Sequence, residues 1–550
     1  MSNAYRPPEF DAPIDLDLSR NEGRPSITEI PFGPEELAAL TSRYPNTTGL
    51  RQAIADKMGL ATGRVLVTAG GDDALFRCIL ANAGRPVVAT TPSFEMIGRY
   101  ATQVRSPLVE IPWWEDDFPV DDFLDRAEDG AIAVIVSPNN PTGSVIDTAD
   151  LRKVADTFSF VVLDGAYMEF AEEDLTAEAL TLDNVVVIRT LSKAYGLAGL
   201  RVGYLLGPDE EVERLSAFGS PYSMSALSAA LATEALAKGS DETYFAEIAR
   251  ERSVLTDLLA ELGCSPLQSQ ANFVLATDVA PDWLVPAAAS LGVGLRRFRG
   301  RADLERAVRI GLPGDASEFE RLETTLRTVL APEALLFDMD GVIADVGDSF
   351  RTAIVATAER FGVKVTGEQI AAAKARGQAS DDWDLTRRLC VEAGVEVSFE
   401  DVRDEFERIY QGEDGVSGLK LEERLLIDRA DLEKWSTRLP LAIVTARPRK
   451  DAEEFLDRFT LRPYFSAVVT REDGPSKPDP APVRLALERL GVSRGWMFGD
   501  TVDDLRAARE AGMVPIAVAV PGDDRSALTP AARIVESVNE IEEVLDATQS

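Results

Sequence analysis

The sequence contains no histidine among its 550 residues. Catalytic Ser-His-Asp triads, Cys-His pairs and histidine-ligated metals are therefore excluded, and every proton transfer must use Lys, Asp, Glu, Tyr or water. Cysteine is also scarce, since only Cys78, Cys264 and Cys390 are present, far apart and without the spacing of a metal site. This usage argues against a disulfide framework and indicates the reducing environment of the cytoplasm.

Positive charge is in short supply, because 57 Lys and Arg face 93 Asp and Glu, for a net charge of −36. A chain this acidic is a poor partner for nucleic acid. No run of eighteen apolar residues is present, and the start, MSNAYRPPEF, lacks the basic and apolar segments of a signal peptide. We therefore expect a cytoplasmic protein without membrane contact, whose partners are small molecules.

Short apolar runs bounded by turns recur from residue 64 onward. They are RVLVTAGG, PVVATTP, AIAVIVSPNN, FVVLDGAY, NVVVIRT and RVGYLLG. Continuous apolar runs of this length predict strands buried on both faces of a parallel sheet, and the helix-length segments between them predict an α/β fold. A long helical stretch after residue 245, then NFVLAT and residues 308–312, predict a smaller α+β unit.

The pattern restarts near residue 331 with ALLFDMDG, a buried strand ending in acidic residues. Residues 350–430 are polar and helical in pattern, and strands return at LAIVTA, AVVT, WMFGD and PIAVAV. The length is too great for one core, so at least two domains are expected.

One group of motifs in the first half has the residues that pyridoxal 5′-phosphate chemistry needs. Lys193 is the candidate for the Schiff base, and it is one of only ten Lys in the chain. Asp164 ends a predicted strand and can pair with a protonated pyridine nitrogen. Asn140 and Tyr167 are candidates for hydrogen bonds to the ring oxygen, and Phe94 is a candidate for stacking on the ring.

A phosphate site is predicted beside these residues. A glycine-rich turn before a helix directs backbone N–H groups at a phosphate, and hydroxyl and guanidinium groups can complete the cradle. The candidates are Gly71, Asp72, Thr190, Ser192 and Arg201.

Together these motifs resemble fold-type I aminotransferases, and most the histidinol-phosphate aminotransferases. The matching pieces are SRYPNTTGLRQAIA, GGDDAL, TPSFEM, SPNNPTG, LDGAY, RTLSKAYGLAGLRVGY, PYSMS and ANFVLAT. The resemblance implies a homodimer in which Tyr44 reaches the partner's cofactor, and Arg309 as the residue that holds the amino acid's carboxylate. Asn21 and Arg296 are further substrate-binding candidates. Three positions depart from the family pattern: SRNEGRP at the N-terminal segment, Gly165 and Ser223.

The second half carries four acidic or phosphate-binding motifs in a fixed order. Asp338 and Asp340 lie two residues apart at a strand end, so one can attack phosphorus while the other moves protons. Thr445 and Lys477 are candidates for binding the phosphoryl group. Carboxylates are the ligands that Mg²⁺ prefers, and the candidates are Asp338, Asp340, Asp500 and Asp504.

These motifs resemble the haloacid-dehalogenase superfamily, and the acid at position 340 favours a phosphatase. The helical insert resembles the cap of that superfamily, in which Arg376 and residues 380–383 are weaker candidates for substrate contact. The two resemblances predict an aminotransferase at residues 1–331, with a large domain at about 45–245 and a small domain formed by the N-terminal segment and about 246–331. They predict a Rossmann-like phosphatase at 332–550, with a core at 332–349 and 431–550 and a cap at about 350–430.

The order of the two parts implies transamination between glutamate and imidazole-acetol phosphate, followed by hydrolysis of the L-histidinol phosphate through an aspartyl-phosphate. Such an enzyme of histidine biosynthesis, itself free of histidine, can be translated during starvation for that amino acid. Two alternatives stay open. The first part can be a threonine-phosphate decarboxylase or an aromatic aminotransferase. The second part can be a general phosphatase or a module without catalysis.

Overall fold

A computed structural model describes residues 7–114, 117–127, 130–377, 381–413, 416–520 and 525–547. The chain forms two compact units. One contains residues 18–278 and 295–321. The other contains residues 279–294 and 322–550 together with the N-terminal residues up to 17, as far as these ranges are described. The predicted domain boundary at 331 therefore stays a prediction.

The described strands are β1 (Leu16–Asp17), β2 (Val65–Thr68), β3 (Val87–Thr91), β4 (Leu108–Pro112), β5 (Ile132–Val136), β6 (Val161–Asp164), β7 (Val185–Thr190), β8 (Gly203–Leu206), β9 (Ser265–Pro266), β10 (Phe273–Thr277), β11 (Val293–Gly294), β12 (Arg296–Arg297), β13 (Val308–Gly311), β14 (Leu335–Phe337), β15 (Ala344–Asp345), β16 (Arg424–Leu425), β17 (Leu441–Val444), β18 (Phe465–Val469), β19 (Trp496–Gly499), β20 (Val514–Val518) and β21 (Arg533–Val535).

The described α-helices are α1 (Pro34–Ser42), α2 (Thr48–Met58), α3 (Gly71–Leu80), α4 (Met96–Gln103), α5 (Val120–Leu124), α6 (Thr148–Thr157), α7 (Thr176–Ala179), α8 (Asp209–Ser216), α9 (Ala226–Lys238), α10 (Glu242–Glu261), α11 (Pro281–Ser290), α12 (Ala316–Leu330), α13 (Phe350–Arg360), α14 (Gly367–Arg376), α15 (Asp382–Glu392), α16 (Phe399–Gln411), α17 (Arg429–Arg438), α18 (Arg449–Arg458), α19 (Ala481–Leu490), α20 (Val502–Glu510) and α21 (Ile541–Ala547). In the described part of the chain, every helix is too short or too polar to cross a membrane.

The first unit is built on a seven-stranded sheet with the order β2-β8-β7-β6-β5-β3-β4. The six predicted strands are all present, which confirms the α/β fold. The sheet is mixed rather than parallel, because β8 runs antiparallel to β2 and β7. The expectation of an all-parallel sheet was wrong here because the β7–β8 connection lacks the crossover α-helix that usually joins parallel neighbours. Strand β4 was missed, since it is a half-exposed edge strand without a continuous apolar run.

The same unit has a smaller antiparallel sheet with the order β12-β13-β10-β9. Its central strands pair in antiparallel register, with Leu275 opposite Arg309. Helix α10 packs on β9 and β10. This arrangement confirms the predicted α+β part and brings an arginine of β13 into the sheet.

The second unit contains a six-stranded parallel sheet with the order β18-β17-β14-β19-β20-β21. Strand β14 lies at its centre, so the chain after Phe337 emerges between the ends of β17 and β19. Helix α11 packs on β20 and β21 of this unit. There Trp283 and Trp496 have ring centroids 4.6 Å apart and donate hydrogen bonds to the carbonyl oxygens of Val329 and Thr328.

Helices α13 to α16 form the predicted helical insert of this unit. Helices α13, α15 and α16 pack on one another, with Phe350, Phe406 and Tyr410 in contact, and α14 packs on α20 of the core. The chain enters the insert after β15 and leaves it before β16, and these two short strands pair antiparallel. The insert is therefore joined to the sheet by two crossings that lie side by side.

Candidate active sites

The ends of β6 and β7 carry the predicted catalytic lysine of the first half and one of its predicted cofactor-binding acids. Asp164 is the last residue of β6, and Lys193 follows the end of β7. Because the two strands are parallel neighbours, both residues lie at the same edge of the sheet, where ligands bind in α/β folds. Lys193 Nζ donates a hydrogen bond to the carbonyl oxygen of Arg20 at 2.9 Å and lies 5.7 Å from the ring centroid of Tyr167.

Asp164 is a buried carboxylate, only 5% exposed. Its Oδ1 accepts a hydrogen bond from the backbone N–H of Ala166 at 3.1 Å. Burial raises the pKa of Asp164 to about 7, although that hydrogen bond acts in the opposite direction. A buried acid in this condition favours a cationic partner, because pairing offsets the cost of its desolvation.

Three separate stretches bring further predicted residues to this region. Asn21 Nδ2 donates to the hydroxyl oxygen of Tyr167 at 3.4 Å. Arg309 of β13 donates to Asn140 Oδ1 at 2.5 Å and to the carbonyl oxygen of Ser19 at 2.9 Å. Asn140 is therefore in direct contact with the predicted carboxylate-binding arginine, and Tyr167 is in contact with the substrate-binding candidate Asn21.

The predicted phosphate-binding residues lie at the N-terminal end of α3, where backbone N–H groups are directed outward. Gly70 precedes this helix with φ +83°, and a Cβ there would lie 2.7 Å from Arg201 Nη2. The positive φ favours glycine at this position, and the absence of a Cβ leaves room for the guanidinium. Arg201 Nη2 lies 3.0 Å from Asp72 Oδ2, and Thr190 Oγ1 donates to Ser192 Oγ at 2.9 Å. These contacts hold the predicted cradle residues in one place.

Other predicted residues have contacts of their own. Phe94 packs against the hydrophobic core beneath the sheet. Arg296 lies 3.8 Å from Glu95. Tyr44 is 80% exposed and stacks on Tyr222 at 4.5 Å between ring centroids. Their roles toward a cofactor, a substrate or a partner subunit stay predictions.

The second candidate site lies at the ends of β14 and β19. Carboxylate oxygens of Asp338, Asp500 and Asp504 all lie within 4.8 Å of one another. Lys477 Nζ lies 2.6 Å from Asp338 Oδ1 and 2.5 Å from Asp504 Oδ1. The structure therefore brings together a lysine and three acids that the sequence separates by up to 166 positions. Such a group of hard oxygen donors suits a divalent cation.

Burial and mutual repulsion dominate the electrostatics of these acids. Burial raises the pKa of Asp338 to about 7, and Lys477 acts against this rise. Burial also raises the pKa of Asp500. Lys477 is opposed by its own burial, but the two neighbouring carboxylates hold its pKa above the usual range. The site therefore favours additional positive charge.

Asp340 lies beside this group, and its carboxylate contacts a different cation. Arg447 donates from Nε to Asp340 Oδ1 at 2.7 Å. The predicted place of Asp340 among metal ligands stays a prediction. Thr445 Oγ1 accepts a hydrogen bond from the backbone N–H of Arg447 at 3.1 Å. Gly341 has φ +77°, and a Cβ there would lie 2.5 Å from Asp500 Oδ2, so the glycine of DMDG is a steric requirement.

Comparison with known families matches both halves. The family Aminotransferase class I and II matches residues 34–322, which is more than half of the chain. The chain belongs to the class I and II aminotransferases. The family Haloacid dehalogenase-like hydrolase matches residues 335–518, so the C-terminal part is a hydrolase domain of that family.

The relatives of this aminotransferase include histidinol-phosphate aminotransferases. That of Thermococcus kodakarensis is 35% identical over 283 residues, which cover 50% of this chain and 82% of the relative. The crystal structure of histidinol-phosphate aminotransferase from Sinorhizobium meliloti in complex with pyridoxal-5′-phosphate has a TM-score of 0.50 at 26% identity, covering 58% of this chain and 91% of that one. An imidazoleglycerol-phosphate dehydratase of Phytophthora nicotianae is 42% identical over 219 residues. The match covers 38% of this chain and only about half, 48%, of that relative.

Three residues of the hydrolase domain that sequence reasoning missed lie close to its acids. Arg447 contacts Asp340, and Glu423 contacts Arg447 at 3.1 Å. Lys374 of α14 interacts electrostatically with Asp500, and although burial opposes it, nearby acids raise its pKa. Two features of the sequence could have pointed to these residues. Lysine is rare in this chain, which makes Lys374 a candidate for a functional cation, and Arg447 lies only two residues after the phosphate-binding candidate Thr445.

The other cap candidates have different surroundings. Asp381 pairs with Arg471 at 2.5 Å, and this guanidinium lies 4.3 Å from the ring centroid of Trp383. Ser380 lies outside the described residues. Arg376 lies 3.6 Å from Glu392 on the surface of the insert. These contacts join the insert to the core or to itself and leave its substrate contacts a prediction.

Proposed function

We propose that the chain is a bifunctional enzyme of histidine biosynthesis. Its aminotransferase part would move an amino group from glutamate to imidazole-acetol phosphate, and its hydrolase part would cleave the resulting L-histidinol phosphate. The observation that carries this proposal is the presence of two complete residue sets on one chain. The first has histidinol-phosphate aminotransferases as relatives, and the second has the acids and the lysine of a phosphatase.

The residues of the first site fit pyridoxal 5′-phosphate. The buried acid Asp164 would hold the protonated ring nitrogen, and Asn140 with Tyr167 would hold the ring oxygen. The phosphate would lie in the cradle at the start of α3, with Arg201 beside it. When bound, the cofactor supplies an electron-withdrawing ring that stabilises negative charge at the substrate's α-carbon.

The protein's own groups in the transfer are Lys193 and Arg309. Arg309 would bind the carboxylate of glutamate through two parallel N–H donors of its guanidinium. Its contact with Asn140, a predicted cofactor-binding residue, supports this role. Lys193 Nζ would then remove the proton from the α-carbon and return a proton in the second half of the exchange. Tyr44 and Tyr222, exposed and stacked together, mark the surface where a second copy would complete a homodimer.

In the second site, Asp338 would attack the phosphorus of the ester and form an acyl phosphate. The oxygen of the leaving alcohol takes a proton from Asp340, which then takes a proton from the water that cleaves the acyl phosphate. Lys477 and Thr445 would hold the phosphoryl oxygens. Asp338, Asp500 and Asp504 would hold Mg²⁺, which neutralises charge on the phosphoryl group.

The test uses L-histidinol phosphate as the substrate of both reactions. Phosphate release in the presence of Mg²⁺ reports the hydrolase, and loss of the amino group that depends on 2-oxoglutarate reports the aminotransferase in reverse. Release of CO₂ from a phosphorylated amino acid, without formation of glutamate, would instead assign a decarboxylase. Absence of phosphate release from this ester, with activity on unrelated esters, would assign a general phosphatase.

A further inference from the structure

Arg447 is a buried cation that the catalytic scheme above does not use. It follows β17 by three residues, and it is 2% exposed. Its guanidinium carbon lies 4.9 Å from the ring centroid of Phe350 and 5.2 Å from that of Phe455. The charged group is thus held between two aromatic faces, which limits the directions in which its N–H groups can point.

On one side, Arg447 contacts a single carboxylate oxygen of Asp340 with two of its nitrogens. Its Nε lies 2.7 Å and its Nη2 lies 2.5 Å from Asp340 Oδ1. Both contacts go to the same oxygen, so the rotation of the carboxylate is fixed, and Oδ2 is left for the leaving alcohol and then for water. Because proton transfer needs the acid within hydrogen-bond reach of the reacting oxygen, this orientation matters for both chemical steps.

On the other side, Arg447 makes a two-pronged contact with Glu423. Nη1 donates to Glu423 Oε2 at 3.1 Å, and Nη2 donates to Glu423 Oε1 at 3.1 Å. The side chain of Glu423 is 2% exposed, so this ion pair is shielded from solvent. A guanidinium is suited to such a shared role, because its planar fork presents five donors in fixed directions, whereas an ammonium acts as a point charge.

Glu423 in turn links the two crossings between the core and the helical cap by hydrogen bonds. It lies directly before β16, which leads back from the cap. Its Oε1 accepts hydrogen bonds from Tyr410 at the end of α16, at 3.0 Å, and from Ser349 directly before α13, at 3.2 Å. Ser349 is on the entering crossing, and Glu423 is on the leaving one. The Glu423 carboxylate therefore contacts residues of both crossings and of the last cap helix.

We propose that Arg447 is a positioning residue that ties the orientation of Asp340 to the cap crossings through Glu423. When the crossings hold Glu423 in this place, the guanidinium holds Asp340 ready for proton transfer. When the cap moves and displaces Glu423, the same guanidinium is drawn away, and Asp340 loses its orientation. The inference rests on the proposed phosphatase function of this site, and it names the link between the cap and the acid/base.

The test compares two esters in the wild type and in Arg447→Met and Arg447→Lys. Histidinol phosphate has an alkoxide leaving group that needs a proton, whereas p-nitrophenyl phosphate has a leaving group that needs none. For histidinol phosphate, we expect kcat to fall by about 10- to 100-fold with little change in KM, which is less than the full effect of general acid–base catalysis because Asp340 itself is retained. For p-nitrophenyl phosphate, we expect the first turnover to stay close to that of the wild type while later turnovers slow, so nitrophenolate appears as a burst. Lys keeps the charge but lacks the fork, so it should restore only part of the rate.

Stability is separated from positioning by a second set of variants. Arg447→Met leaves the buried Glu423 and the partly buried Asp340 without their shared cation, which can unfold the domain. The double variant Arg447→Met with Glu423→Gln removes the charge of the cap crossing as well. It should fold better than Arg447→Met, yet its hydrolysis of histidinol phosphate should remain slow.

Two single variants, Glu423→Gln and Tyr410→Phe, leave Asp340 untouched. Both should slow the hydrolysis of histidinol phosphate, with the larger effect in Glu423→Gln. Arg489→Met is the matched control, because Arg489 contacts Asp473 and the carbonyl oxygen of Val468 away from the cap.

Different outcomes would contradict the positioning role of Arg447 and the phosphatase function of the site. The proposal is overturned if the double variant regains the wild-type rate, if the burst on p-nitrophenyl phosphate disappears together with the steady rate in a folded variant, or if Glu423→Gln behaves like Arg489→Met. The proposed phosphatase function fails in a different way, namely when the wild type hydrolyses neither ester or when Asp338→Asn leaves hydrolysis intact.

Discussion

The two candidate sites carry opposite residual charge, although they belong to one strongly acidic chain. With all groups ionised, the first site has three cations and two acids, leaving one positive charge: Lys193, Arg201, Arg309, Asp72 and Asp164. The second has five acids and three cations, leaving two negative charges: Asp338, Asp340, Glu423, Asp500, Asp504, Lys374, Arg447 and Lys477. The first balance suits a phosphate and a carboxylate, and the second suits a divalent cation.

The way each site holds its charges differs as well. In the first, Lys193 and Asp164 contact backbone groups, a carbonyl and an N–H, so their charges stay available to a ligand. In the second, Lys477 and Arg447 are each held directly between two acids. Removing Lys193 should therefore affect the chemistry with little effect on stability, whereas removing Lys477 or Arg447 should affect chemistry and stability together.

The largest expected effects separate the two sites. Lys193→Ala should lower amino transfer by at least about 1000-fold, because no other group can replace the lysine, and should leave phosphate release unchanged. Asp338→Asn should do the reverse. Both reactions are measured on the same preparation with histidinol phosphate. Loss of both activities in either variant would show that the sites are not independent.

Lys477→Met tests the claim that the second site couples chemistry to stability. It leaves two buried acids, Asp338 and Asp504, without their shared cation. We expect phosphate release to fall by about 100-fold or more, and the metal-free hydrolase domain to lose about 3–5 kcal/mol. Thermal unfolding in EDTA measures the second effect. Lys434→Met, a surface variant that removes an ion pair with Glu542, is the control and should leave both quantities nearly unchanged.

Asp164→Asn tests the first site through pH. Burial raises the pKa of Asp164 from 3.8 to about 7, so the folded state binds this proton more tightly than the unfolded chain. The stability gained in this way is fully present below about pH 4 and is lost as the pH rises through 7. The cofactor-free variant should therefore exceed the wild type in stability above pH 7, by at most about 4 kcal/mol, and the difference should shrink as the pH falls. Urea unfolding at pH 5.5 and pH 8 measures it, and an equal difference at both would contradict the assignment.

The sequence predicted those parts of the two sites that depend on local order. Asp338 and Asp340 follow a buried apolar run, and that run is a central strand, so the position of both acids at a sheet edge could be foreseen. The direction of strand β8 relative to its neighbours could not be predicted, because an apolar run of four residues looks the same in a parallel and in an antiparallel strand. Arg447 and Lys374 were missed for another reason. Each of them joins the core to the cap or to its crossings, Arg447 through Glu423 and Lys374 through Asp500, and such contacts between distant segments leave no periodic signal in the sequence.

The smallest expected effect concerns Lys374, which belongs to the cap yet interacts with acids of the core. Its charge is favoured by Asp382 in the cap and by Asp500 in the core, so it adds positive charge near the acids of the second site. Lys374→Met should lower kcat/KM for histidinol phosphate by about ten-fold, the amount expected for one charged contact with a phosphate ester. Lys364→Met, on an exposed cap position, is the matched control. If both variants behave alike, the cap contributes no cation to the site, and the residual charge of the second site would be three negative charges instead of two.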